Sequence, residues 1–341
     1  MNEKLSKMYD KYYKIILILP IAVLLFSLIY LFSFSAKTGD IINKDITLTG
    51  GTSIQINSDI DADAITKALE AKFGDISVRK VTDTLSGKQL ALVIETSVKP
   101  DEITPFLEQY LGYKLTSENS SVEFTGSSIG EGFYTQLLLA ILFAFIFMGT
   151  VVFFIFANNT KVRILLIFLS LLAPIAFFIL RIITINQAFI LSFAVLIVSI
   201  YFYVKYSIPS IAVIFCAFAD MTMTLTLVNL LGMKVSSAGI IAFLMLIGYS
   251  VDTDILLTTR VLKRKGESVN ARIWGSFKTG MTMTLSALAV VIIGYFLTAS
   301  FSKVLHQLFL ILTIGLFFDI FNTWITNASM VKWHTDKYKI D

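Results

Sequence analysis

The sequence predicts an α-helical membrane protein of about eight spans carrying one small α+β domain outside the membrane. Three observations predict it. Hydrophobic residues fill 56% of the 341 positions and charged residues only 15%, with a mean hydropathy of +0.77, far more apolar material than one soluble core hides. That material is gathered in blocks of roughly 20 residues, the length that crosses a bilayer's hydrocarbon layer. Finally, a single long polar stretch, residues 35–136, alternates helical and strand periodicities. In lipid the backbone must satisfy its own hydrogen bonds, so the apolar blocks are helices; a barrel would need short alternating segments.

Residues 1–34 hold a lysine-bearing N-terminus (Lys4, Lys7, Lys11, Lys14) and a first span, Ile15 to Phe34. Ser33-Phe34-Ser35 has the small-x-small form of a cleavage site, but the apolar stretch is too long for a secretory signal, so an uncleaved anchor is expected. Later spans are Leu137 to Ala157, Ile164 to Leu180, Ala188 to Val204, Ile208 to Leu231, Ser236 to Leu257, Met281 to Thr298 and Val304 to Thr326. They divide the chain into a second helix at 137–157, a hairpin at 158–206, a four-helix part at 207–327 and a tail at 328–341. Pro20, Pro174 and Pro209 are expected to kink or begin helices. Lys and Arg number 16 in the segments sharing a side with the N-terminus and three (Arg181, Lys234, Lys303) in the short opposite loops. The positive-inside bias therefore predicts both termini in the cytoplasm. The parity holds whether or not the hairpin spans. Cys216, the one cysteine, excludes an intrachain disulfide.

The polar domain carries nine basic and fifteen acidic residues, a balance that argues against nucleic acid as a partner. Ile46 to Thr49 and Thr52 to Ile56 alternate as a first strand interrupted by Gly50-Gly51, which predicts a bulge or close backbone contact. Asp61 to Phe73 is a helix with an aspartate cap and Gly74 as its stop. Ser77 to Val81 and Gln89 to Glu95 are strands joined at Ser86-Gly87. Pro100 to Leu111 is a second helix closed by Gly112, and Ser121 to Phe124 is the last strand. The order β-α-β-β-α-β predicts the ferredoxin-like arrangement. Gly126, Gly130 and Gly132 make Thr125 to Tyr134 a predicted hinge. No phosphate-cradling loop, hydrolytic triad or cofactor pattern occurs, and His306 and His334 lack metal-ligand spacing, so neither an enzyme nor a cofactor is expected.

Ionisable groups within the spans are the candidates for chemistry, because they are costly in lipid and face a bundle interior or a wet path. Asp220, Asp252, Asp254 and Asp319 qualify. Asp252 and Asp254 lie about 200° apart on a helix, so they cannot share a partner. Gly248, four before Asp252, marks a face where a neighbouring helix can approach, which predicts Asp252 as the interior acid and Asp254 as hydrated near the cytoplasmic face. Lys278, with Thr279 and Thr282 beside it, begins the next span and is the predicted basic partner in a proton relay.

Gly50-Gly51-Thr52, Ile247-Gly248-Tyr249-Ser250-Val251-Asp252-Thr253-Asp254, Leu262-Lys263-Arg264 and Lys278-Thr279-Gly280-Met281-Thr282 together resemble the SecD/SecF family of protein-export membrane subunits, in the SecF branch and its archaeal form, within the resistance-nodulation-division superfamily. The resemblance covers residues 1–157 and 207–341. It implies a six-helix unit that pairs with a homologous SecD, assists the Sec translocon channel, and uses an ion gradient, usually protons, to help preproteins leave on the outer side. The family's fourth-helix acid maps to Asp252 through Asp254. Bacterial SecF would align it with Thr253, whereas SecD reads valine-aspartate as here, favouring Asp252. The arginine that bacterial members carry at the start of the fifth helix is Lys278 here, and residues 158–206 have the character of an inserted hairpin. Expected partners are SecD, the translocon channel, preproteins and membrane lipids. The competing readings are a self-contained small-molecule or lipid exporter of the same superfamily and a non-conducting translocon scaffold. An exporter of that kind usually carries two six-helix halves and two outside domains, against one of each here.

Overall fold

The computed structural model describes residues 3–74, 76–82, 86–180, 182–299 and 302–338. Arg181 and Lys339 of the charge balance, and Asp75 and Asp83 of the polar domain, lie outside them. Helices α1 (Glu3–Ile16) and α2 (Ile18–Thr38) form the first span, with Pro20 in the first turn of α2, where its missing N–H costs little. The polar domain then runs α3 (Ile46–Thr49), β1 (Gly51–Ile56), α4 (Ala62–Phe73), β2 (Ile76–Thr82), β3 (Gln89–Thr96), α5 (Pro100–Leu111) and β4 (Ser120–Thr125). The antiparallel sheet has the order β2-β3-β1-β4, with Ile54 opposite Ile94 on one side and Val122 on the other. This is the ferredoxin-like topology.

Alternation sends Ile54, Ile56, Leu92 and Ile94 to one face, where Ile65 and Leu69 of α4 and Ile103 and Leu107 of α5 cover them. Asp61 caps α4 by accepting the Asp63 N–H, and Gly74 and Gly112 end α4 and α5 at φ near 80°. The opposite face presents Ser53, Gln55, Arg79, Glu95 and Glu123 to a cleft of about 360 Å³ above the membrane helices.

Two expectations for this region are overturned. Ile46 to Thr49 is not part of the first strand but a helical turn, because the Asp45 carboxylate accepts the Ile46 N–H at 2.6 Å and the chain leaves through Gly50 at φ +82°. For the glycine pair, the close backbone contact holds of the two alternatives expected: a Cβ on Gly50 would lie 2.5 Å from Ser127 Cα, and one on Gly51 2.5 Å from the Thr96 carbonyl. Thr125 to Tyr134 is not a hinge. Helix α6 (Ser127–Phe156) begins at once and continues through the membrane segment. A Cβ on Gly130 would sit 2.7 Å from the Gly50 nitrogen and 3.1 Å from the Leu48 carbonyl, so that glycine lets α6 press on α3 as a fixed joint.

The remaining helices are α7 (Thr160–Pro174), followed by a π turn (Ile175–Ile179), α8 (Ile185–Tyr206), α9 (Ile208–Leu230), α10 (Ser237–Lys263), α11 (Val269–Thr298) and α12 (Lys303–Phe321), which passes through a second π turn (Asn322–Asn327) into α13 (Ala328–Tyr338). Among the described residues eight helical segments are long and apolar enough to cross a membrane. Helices α9, α10 and α12 pack together centrally, with α2, α6 and α11 around them. The pair α7 and α8 lies against α6 through small residues such as Ser170, Ala173, Ala188 and Ser192, while Phe168, Phe178, Ile190 and Ile197 point outward, the arrangement of a hairpin with one protein face and one lipid face.

Candidate intramembrane carboxylate site

Three of the four predicted acids meet at the centre of the bundle. Asp220 of α9, Asp254 of α10 and Asp319 of α12 are 0%, 0% and 1% exposed. Asp220 accepts the Ser250 hydroxyl at 2.6 Å on one oxygen and the Asn322 amide N–H at 2.7 Å on the other. Asp254 Oδ1 accepts from Thr323 at 2.9 Å and from the Asn327 amide at 2.7 Å, while its Oδ2 is buried without a partner. Asp319 is within reach of the Thr323 hydroxyl at 3.1 Å and of Thr253 at 3.3 Å. Thr323 has a single hydroxyl proton for two carboxylates. Among the described residues every donor to the three acids is neutral, and no basic side chain pairs with any of them.

Asp252 is not the interior acid. The buried stripe of α10 runs through Phe243, Ile247, Ser250, Asp254, Leu257 and Val261, spaced by three and four, and Asp254 falls on it four residues after Ser250. Asp252 lies on the far side with Ile241, Met245, Gly248 and Tyr249, all exposed. Gly248 does not mark a close approach, since a Cβ there would meet nothing within 4 Å. Asp252 instead opens onto a groove with Arg260, Lys263 and Met283. The expected pairing with Lys278 is likewise absent: Lys278 is exposed and lies over the Trp274 ring. Thr279 accepts from Arg260 at 3.0 Å, and Thr282 returns its proton to the Lys278 carbonyl of its own helix. Asp254 is also not a hydrated acid near the helix end, being wholly enclosed.

Glycines that do admit a neighbouring element include Gly280, over which the Trp324 ring closes directly, and Gly315, against which Leu246 of α10 packs. The residues missed by inspection of the sequence are Asn322, Thr323, Thr326 and Asn327. A polar run, Asn322-Thr323-Trp324-Ile325-Thr326-Asn327, at the end of an apolar block was the available signal.

A bundle of this form, with a ferredoxin-like domain between its first two long spans and carboxylates in its core, defines a multi-pass α-helical membrane protein. Residues 182–337 match the family model described as protein export membrane protein SecD/SecF, C-terminal. A protein-export membrane protein SecF of Methanocaldococcus jannaschii is 30% identical over 333 residues, covering 96% of this chain and 98% of that protein. The SecF of Methanothermobacter thermautotrophicus is 41% identical over 142 residues, 41% of this chain and 50% of that protein. Among solved structures, the translocon-associated membrane protein SecDF of Thermus thermophilus matches with a TM-score of 0.60 at 16% identity, over 96% of this chain. This chain spans 38% of that one, and at such identity the likeness concerns the fold. The chain belongs to the SecF family of protein-export membrane proteins.

Proposed function

We propose that this SecF-family chain pairs with SecD beside the Sec translocon and couples preprotein export to an ion gradient, protons in the first instance, through Asp220, Asp254 and Asp319. The observation that carries this reading is the cluster itself: three carboxyl groups converge in the membrane layer on neutral donors alone. Three uncompensated anions there would be prohibitively costly, so a proton or another cation must accompany them. Thr323, able to serve Asp254 or Asp319 but not both, suits an exchange between alternative states. The face of the bundle remote from the domain carries the basic residues of α1, of the end of α10 and of α13, which supports, by the positive-inside rule, a reading with both termini in the cytoplasm and residues 35–136 outside. Asp252, Lys278, Thr279 and Thr282 lie on an exposed face of α10 and α11 where lipid contact is unfavourable, the position expected of groups that meet a SecD half.

Asp254→Asn tests the relay. Asparagine keeps the acceptor for Thr323 and Asn327, so abundance and SecD co-purification should be unchanged. Export of a preprotein reporter, followed with and without an uncoupler, should lose its gradient-dependent part. One charge moved through 100 mV supplies about 2.3 kcal/mol, enough to shift a two-state population about 50-fold. Asp252→Asn should instead weaken SecD co-purification while retaining the uncoupler response. Full gradient dependence in Asp254→Asn would remove the relay and leave the scaffold reading.

A further inference from the structure

The second π turn brings together what an α-helix would separate. Residues five apart on an α-helix are about 140° apart around its axis, so Asn322 and Asn327 could not both enter one cluster from a regular α12. A π turn closes its hydrogen bonds over five residues, and at Asn322–Asn327 it places both carboxamides inward, each wholly buried. Asn322 reaches Asp220 on α9 and Asn327 reaches Asp254 on α10. A single turn therefore holds carboxylates from two different helices. Thr326 donates to Asn322 Oδ1 at 3.2 Å, whereas Asn327 Oδ1 is buried without a donor.

A carboxamide can serve both states of a carboxyl group: its NH₂ donates to the anion, and after a half-turn its oxygen accepts from the acid. The unpartnered Oδ1 of Asn327 is thus available for a protonated Asp254. The outward residue of the same turn, Trp324, lies on Gly280 and edge-on to Phe277 at 5.1 Å, so any shift of the turn is transmitted to α11.

We propose that Asn322 and Asn327 are positioning residues of one switch, the π turn linking the protonation of Asp220 to that of Asp254 and passing the change to α11 through Trp324. The proton itself stays on the carboxyl groups, and the turn changes only which amide atom faces each. The charged groups facing the turn are Asp220 from α9, Asp254 from α10 and Asp319 from α12; Cys216 of α9 lies beside it against the Asn322 carbonyl. The functional meaning of this switch rests on the relay reading, but its test does not.

Dicyclohexylcarbodiimide reacts with protonated carboxyls in apolar surroundings, and peptide mass spectrometry can read its labelling of Asp220 and Asp254 separately in the full chain in membranes. Removing an amide that donates to a carboxylate disfavours the anion by about tenfold in population. Asn327→Leu should therefore raise Asp254 labelling at neutral pH about tenfold and, through the turn, raise Asp220 labelling severalfold. Asn322→Leu should do the converse, since coupling is reciprocal. Asn327→Gln, which keeps the amide, should fall closer to the parent. If the leucine variants fail to accumulate, Asn322→Ser and Asn327→Ser carry the same comparison. Labelling that changes only at the carboxyl each asparagine touches, or at neither, overturns the proposal. Coupled labelling with normal uncoupler-sensitive export in the same variants would uphold the switch and refute the relay.

Discussion

Lys303→Met should loosen the polar domain from the membrane bundle without unfolding either. Lys303, at the start of α12, contacts the Glu95 carboxylate of β3 and lies 3.3 Å from Asp45 Oδ2 ahead of α3. The three side chains are 28%, 10% and 4% exposed. Arg79 is the nearby cation on the domain; burial lowers its pKa, and Glu95 and Asp45 work against that effect. Substitution leaves two enclosed carboxylates with one cation instead of two. Breaking a fully buried pair costs about 3–5 kcal/mol, and with the lysine partly hydrated about 2 kcal/mol is expected here. That corresponds to about 30-fold in a local opening equilibrium. The backbone clasp between Asn43, Asp45 and Val235 stays in place, and the domain core around Ile54, Leu92 and Leu107 has no share in the ion pair. Hydrogen–deuterium exchange in lipid nanodiscs should accordingly accelerate about 30-fold around residues 44–50 and 302–306 while amides of β1 and β3 keep their protection. Lys303→Arg should restore most of it. Unchanged exchange at the joint would refute the assignment of Lys303 as an anchor, and uniform acceleration through β1 and β3 would refute the independence of the domain core.

Gly50→Val combines a positive φ with a Cβ driven into Ser127 Cα, so a loss of about 2–4 kcal/mol is expected, read as a lower melting temperature and reduced membrane abundance; Gly74→Ala, with open space around it, should cost less. Asp61 is held below the usual carboxylate range first by the Asp63 N–H and then by Lys80. A lowered folded-state pKa contributes stability that is present above the unfolded value and lost as pH falls through the folded one. The difference in domain melting between the parent and Asp61→Asn should therefore shrink from pH 6 to pH 3; a difference that grows on acidification would contradict the cap assignment.

Composition and block length sufficed for the class of protein and for the number of spans, because in lipid a backbone segment of given length and apolarity has one way to satisfy its hydrogen bonds. Period and punctuation were enough for the ferredoxin-like topology: Asp61, Gly74, Pro100 and Gly112 act within a turn of where they stand. Asp220, Asp254 and Asp319 were legible as candidates from their rarity in apolar runs. Only the tertiary structure decided which acid of α10 points inward. The rotation of a helix that is largely apolar is set by its neighbours, and Gly248, with open space where a Cβ would sit, carried no directional information. Ile46 to Thr49 alternates like a strand, yet Asp45 and the left-handed Gly50 override four residues of weak propensity. The pairing of Asn322 with Asp220 and of Asn327 with Asp254 joins positions about a hundred and about seventy residues apart through a π turn whose extra residue has no local signature, so that contact belongs to the packing of three helices and not to any one of them.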